Sequence, residues 1–343
     1  MKAVFFALGC AFASVAVAAT ATDDPALVPL AKTPPAIQKA IQDQVDTGTL
    51  GTIERVDEKG VVSYEVEMTT KDGQERDFTL GADGKLENLE IGLADAPAPI
   101  QQAIKAQVGG GKIESIEKAF AEDDISYEVE MTTKAGDSRD FSVDANGKLV
   151  SLEVALTETP SVVQKTITSQ IGQGKLTNID KMMADGVSYE AELTYSDGQT
   201  RDFTVSDGGK LESMEVFLPE MPAPVQKTIT AQASNGTVEN IEKNFDEDGI
   251  TYDVQTFNRQ GKGRNFVVGA DGAMVSVELA LAEVPPVAQD TIKQQLGNGK
   301  ILQIDKVFGA NNGAPDFQVM AVKNGAPFNF SVGQKGKFLG RDD

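Results

Sequence analysis

Histidine and tryptophan are absent from this chain, and cysteine occurs once, at Cys10. Without histidine there is no Ser-His-Asp triad and no Cys-His dyad, and zinc sites of the usual kind are excluded. A lone cysteine builds no disulfide framework, so each domain must hold together by packing. Basic residues are also scarce, 31 Lys and Arg against 52 Asp and Glu. That balance opposes binding to a nucleic-acid backbone. Beyond the first residues there is no apolar run long enough to span a membrane.

What is there begins with MKAVFFALGCAFASVAVAATA: Lys2, an apolar stretch, then small residues. This reads as a secretory signal peptide over residues 1–21, with Ala16-Val17-Ala18 or Ala19-Thr20-Ala21 as the cleavage motif. The run is short for a membrane anchor. Export to the periplasm or the medium is the expectation. Removal of the peptide would also remove the only cysteine.

Residues 22–33 form a short lead-in with Pro25 and Pro29, and from there the chain repeats itself. Gln38, Gln101, Gln164, Gln226 and Gln289 recur at steps of 63, 63, 62 and 63 residues. Tyr64, Tyr127, Tyr189 and Tyr252 keep the same step, and Phe317 stands in for the fifth. Phe78, Phe141, Phe203, Phe266 and Phe330 mark a later strand. A period of this regularity means tandem units: 34–96, 97–159, 160–221, 222–284 and a shortened cap at 285–343.

Each unit opens on proline, which suits a first helical turn. Ile37, Ile41 and Val45, and likewise Ile100, Ile104 and Val108, then follow at four-residue steps, one apolar stripe on a polar helix. Glycines such as Gly48, Gly172 and Gly236 end it. ISYEVEMTT (125–133) and its relatives from Val62, Val187 and Ile250 alternate with period two. Tyr127, Val129 and Met131 fall on one side and Glu128 and Glu130 on the other, a strand with one buried face. Asp-Gly and Asn-Gly turns punctuate the strands on either side. The predicted class is therefore α+β: five tandem units, each one helix packed on a four-stranded antiparallel meander sheet. Links as short as Leu156–Pro160 argue against free tumbling of the units.

The order of helix, GxI-x-x-IEK, SYEVE, a DG turn, RDF and DGKL resembles the PepSY-like family. More closely it resembles the tandem PepSY-like units grouped with β-lactamase-inhibitor-like proteins, over residues 34 to about 340. The resemblance implies a secreted or periplasmic protein that binds or inhibits another protein, often an enzyme, through its sheet surface. It carries over no catalytic residues.

The residues themselves add little chemistry. No catalytic, cofactor-binding or metal-binding residue is assigned. Asp144-Ala145-Asn146-Gly147 opens like a calcium loop, but Leu149 replaces its glycine and the closing bidentate Glu is absent, so turn chemistry explains it better. Arg76, Arg139, Arg201 and Arg264 fall on the buried side of their strands and read as structural, each reaching a carbonyl or a Glu. Net charge rises from −8 in residues 34–96 (6 basic, 14 acidic) to +2 in 285–343 (7 basic, 5 acidic). That gradient predicts salt-sensitive self-association. By alternation, Phe217 and Phe257 point to the outer face, where other units carry Thr, Ala or Gly, and Gln255 replaces the second Glu. With Arg259, Lys262 and Arg264 they form the predicted partner-binding patch. Two function classes follow: a non-catalytic module that binds and regulates an extracytoplasmic protein, or a spacing rod kept soluble by its acids.

Overall fold

In the computed structural model, residues 26–58, 61–121, 124–184, 186–233, 236–246, 249–258, 263–309 and 316–342 are described. The stretch expected to be a signal peptide (1–21), with its Cys10, and Arg259 and Lys262 lie outside these residues. The chain divides into two units, Met1–Leu86 and Glu87–Asp343.

In the first unit a helix, Pro35–Val45, precedes antiparallel strands Thr49–Glu58, Val61–Thr69 and Glu75–Gly81. Ile37 and Ile41 are buried with Tyr64, Val66, Phe78 and Leu80, so the helical stripe meets the inward face of the strands. The lead-in is more than a linker. Ala26 and Leu27 pair with Arg55 and Glu54, and the Val28 N–H donates to the Ile53 carbonyl (2.8 Å). A short 3₁₀ turn, Leu30–Lys32, then delivers the chain to the helix.

The second unit repeats this plan. Its helices are Ala98–Val108, Ser161–Gln170, Ala223–Ala233 and Pro286–Leu296. In the second repeat the strands are Lys112–Ala121, Asp124–Thr132, Ser138–Asp144 and Leu149–Glu153, all antiparallel in sequence order. The third and fourth repeats keep this order. The fifth adds a short strand, Ala326–Pro327, before its third. Each repeat has its own core of two or three helix residues and the inward strand residues, as with Val163, Ile167, Tyr189, Leu193 and Phe203. The recurring tyrosines and phenylalanines belong to these cores.

The repeats in this unit are not beads on a string. The fourth strand of one pairs with the first strand of the next: Glu153 with Asp180, Glu215 with Glu242, Glu278 with Asp305. Among the described residues, the strands from Glu87 onward therefore form one continuous sheet. The same pairing joins Asn88–Glu90 to Glu117–Ala119. The compact units accordingly part at Leu86 and not at the repeat boundary near 96. Ala26–Val28 stands in the first unit where Glu278 and Leu279 stand before the fifth repeat, bonded to the equivalent isoleucine carbonyl.

Two recurring devices fix the helix, one at its start and one against a strand hairpin. The conserved-in-register glutamines turn back across the helix start: Nε2 of Gln101, Gln164, Gln226 and Gln289 donates to the carbonyls of Ala96, Thr159, Met221 and Val284 (2.7–2.9 Å). These carbonyls precede the helix and gain an internal partner from the glutamine. At the other device, hairpin glycine Gly272 has φ +84°, and a Cβ there would come within 2.7 Å of the Pro224 backbone. The turn and the close approach of the helix both require glycine. The Thr228 hydroxyl completes the contact by donating to the Gly272 carbonyl (2.7 Å).

Candidate functional site

The face of the sheet away from the helices carries the acids that alternation places there. The second unit's register sets them against each other. Glu117 faces Glu128, Glu130 faces Asp140, Glu153 faces Asp180, and Asp180 faces Glu190. Further along, Glu192 faces Asp202, Glu215 faces Glu242 and Glu242 faces Asp253. Like charges directly opposite one another oppose strand pairing. Burial, then Glu117 and Asp140, push the Glu128 carboxyl up to about 7. Burial, then Glu190 and Glu215, push Asp202 up to about 7, and burial with Glu242 pushes Asp253 up to about 6. Sequence reading placed these side chains on a wet face. It missed their partial desolvation, which comes from neighbouring strands.

In the fourth repeat the row is interrupted. Gln255 pairs across to Asn240 and Asn265, neutral residues where Glu192, Asn178 and Asp202 meet in the third. Phe257 follows on the same face, half-buried and opposite Thr237 and Gly263.

A second kind of feature lies where repeats join. After each fourth strand the chain turns through a 3₁₀ segment whose acid caps its own start. Glu158 accepts from the Ala155 N–H, Glu220 from Phe217 and Glu283 from Ala280 (2.8–2.9 Å). The same carboxylates take the arginine of the preceding third strand. Arg139 Nη2 lies 2.8 Å from Glu158, Arg201 Nη2 bonds both oxygens of Glu220 at 2.8 Å, and Arg264 bonds Glu283. The Ala155 N–H and the Arg139 guanidinium hold the Glu158 carboxyl below the usual range. Each of these arginines therefore reaches a Glu, Arg264 of the predicted patch among them. In the fifth repeat Phe328 takes the arginine's place, with Arg341 and Lys323 over its ring at 4.3 and 4.8 Å.

Phe217 departs from its predicted position. Its strand, Leu211–Glu215, ends two residues earlier, and Phe217 starts the 3₁₀ turn Leu218–Glu220. Alternation lapses there, and the ring swings over Arg201, 4.9 Å from the guanidinium carbon. The structure therefore places Phe217 on Arg201 and Phe257 on the outer face, instead of both rings on the outer face.

At the junctions before the third and fifth repeats, grooves of about 350 and 310 Å³ open beside Arg139 and Arg264. A β-bulge in each first strand, between Leu176 and Asn178 and between Ile301 and Gln303, helps to shape them. Among the described residues, no group of three or more Asp, Glu, His or Cys is arranged to hold a metal ion. Asp144 is engaged in its turn, accepting from the N–H groups of Asn146 and Lys148 (2.9 and 2.8 Å). No described helix is long and apolar enough to cross a membrane.

No curated protein matches the chain. Among solved structures, it is similar to a BLIP-like protein from Bacteroides fragilis, at 14% identity over 36% of this chain and 86% of that one, with a TM-score of 0.27. A DUF2874 family protein from Bacteroides ovatus is similar at 16% identity over 35% and 86%, with a TM-score of 0.28. A family model described as "Putative beta-lactamase-inhibitor-like, PepSY-like" matches residues 62–151 and again 125–213, one repeat further on. Both matches span the SYEVE strand, the RDF strand and the following junction, the elements that the structure shows repeated. Residues 62–213 thus match the PepSY-like, β-lactamase-inhibitor-like family model in two overlapping copies.

Proposed function

We propose that this is a secreted or periplasmic, non-catalytic module that binds and regulates another extracytoplasmic protein through the outer face of its sheet. The observation that carries the reading is acid set against acid across successive strands of the second unit. Opposed carboxylates weaken the free sheet, and a basic surface laid over them relieves the repulsion. The PepSY-like match supports the class, and the leader sequence supports the compartment. The break at Gln255 and Phe257 supplies an apolar contact within the charged face, and the cationic Arg259 and Lys262 follow it in sequence. Aromatic residues at the centre of a polar face are common anchors of interfaces.

The test is capture from periplasmic and secreted extracts on the full mature chain. A stoichiometric partner is expected, released by salt, and lost when Glu128, Asp202 and Asp253 become Gln or Asn. Retention of no stoichiometric partner would overturn the reading. It would favour the spacing rod, for which the continuous sheet of the second unit's described strands speaks.

A further inference from the structure

Of the three junctions whose arginine and 3₁₀ turn both lie in the second unit, two are open beside the arginine and the third holds an aromatic ring. The 3₁₀ starts are equivalent: Ala155 before the third repeat, Phe217 before the fourth and Ala280 before the fifth. Ala155 and Ala280 line the two grooves together with Arg139 and Arg264. The Phe217 ring lies 4.9 Å from Arg201, whose other neighbour, the Tyr195 ring, is at 5.6 Å. Exposure of the arginines follows: 14% for Arg201, 24% for Arg139 and 42% for Arg264. All three keep the salt bridge to the carboxylate of the turn, so the difference comes from what covers the guanidinium plane.

We propose that the grooves beside Arg139 and Arg264 each receive an aromatic side chain of a partner protein, in the place that the Phe217 ring takes over Arg201. The occupant follows from the chain itself. The middle junction, built from the same elements, shows that a phenylalanine ring over this arginine is compatible with the Arg–Glu bridge and the turn geometry. A guanidinium held flat by a carboxylate attracts the face of a π-system. The bulged first strand and the aliphatic wall of Leu156 or Leu281 supply apolar contact for the ring's edge. An alanine in place of Phe217 leaves that volume free without altering the backbone. This deepens the protein-binding reading and rests on it for the nature of the occupant.

The mature chain labelled with ¹⁵N-arginine is titrated with N-acetyl-phenylalaninamide and, separately, with N-acetyl-leucinamide, to high millimolar concentration. The Nε–H resonances of Arg139 and Arg264 are expected to shift with the aromatic probe only, while that of Arg201 stays in place. In Phe217→Ala the Arg201 resonance should join them, and in Ala155→Phe and Ala280→Phe the corresponding response should vanish. The same spectra report whether each variant is folded. Equal shifts with both probes, no shift at Arg139 and Arg264, or an unresponsive Arg201 in folded Phe217→Ala would overturn the proposal. A small-molecule probe keeps this result separate from partner capture. An aromatic-selective response with no captured partner would refute the binding-module reading and leave the groove chemistry intact.

Discussion

Asp202 offers the sharpest test of the opposed-acid face. It sits across from Glu192, with Glu190 and Glu215 nearby, and is driven from an ordinary 3.8 up to about 7, first by burial and then by those neighbours. A folded-state pKa raised above the unfolded one means that folding favours the proton. The associated stability is present below the unfolded pKa and is lost as pH rises through the folded pKa, here between about 4 and 7. Roughly three pKa units at about 1.4 kcal/mol each set a ceiling near 4 kcal/mol at pH 8. Asp202 is nonetheless exposed to solvent on its strand, its neighbours crowding it without covering it, and screening cuts that ceiling to about 1–2 kcal/mol. Asp202→Asn removes the ionisation and keeps the shape. The variant should therefore be more stable than the parent by about 1–2 kcal/mol at pH 8, and by less than about half of that at pH 5, where the folded carboxyl is mostly protonated. Urea denaturation of the chain from residue 22 onward, followed by circular dichroism at the two pH values, measures this. Equal effects at pH 5 and pH 8, or a variant less stable at pH 8, would refute the reasoning.

Three further outcomes follow from other parts of the structure. Gln226→Ala removes the donor to the Met221 carbonyl and should cost about 1 kcal/mol, read as a lower urea midpoint. Gly272→Ala meets both a positive φ and the Pro224 backbone, whereas Gly198→Ala meets a positive φ in open space. Thermal unfolding should therefore show the larger loss at Gly272, and equal losses would count against the helix contact. Sedimentation velocity should show association at low salt that weakens on adding salt, because the end repeats differ in charge and exposed charges are screened over about 10 Å at 0.1 M. Salt-insensitive association would reject the charge gradient as its cause.

The sequence by itself determined the repeat and the interior of each repeat. Proline at the helix start, isoleucines four apart, the Tyr-Val-Met alternation and the Asp-Gly hairpins all act within a few residues of themselves. Their outcome is legible wherever they occur. The arginine of RDF was also readable as structural, because its strand position turned it inward. Tertiary structure alone decided what lies beside each repeat. Edge pairing uses backbone groups that every strand possesses, so no side-chain pattern announced that Glu153 would face Asp180 or Glu215 face Glu242. Hence the sequence could place acids on the outer face but not oppose them across strands, and could not foresee their partial desolvation. Phe217 shows the same limit at one residue. Alternation points it outward only while the strand continues. The strand ends at Glu215, and a turn that depends on the next repeat carries the ring onto Arg201.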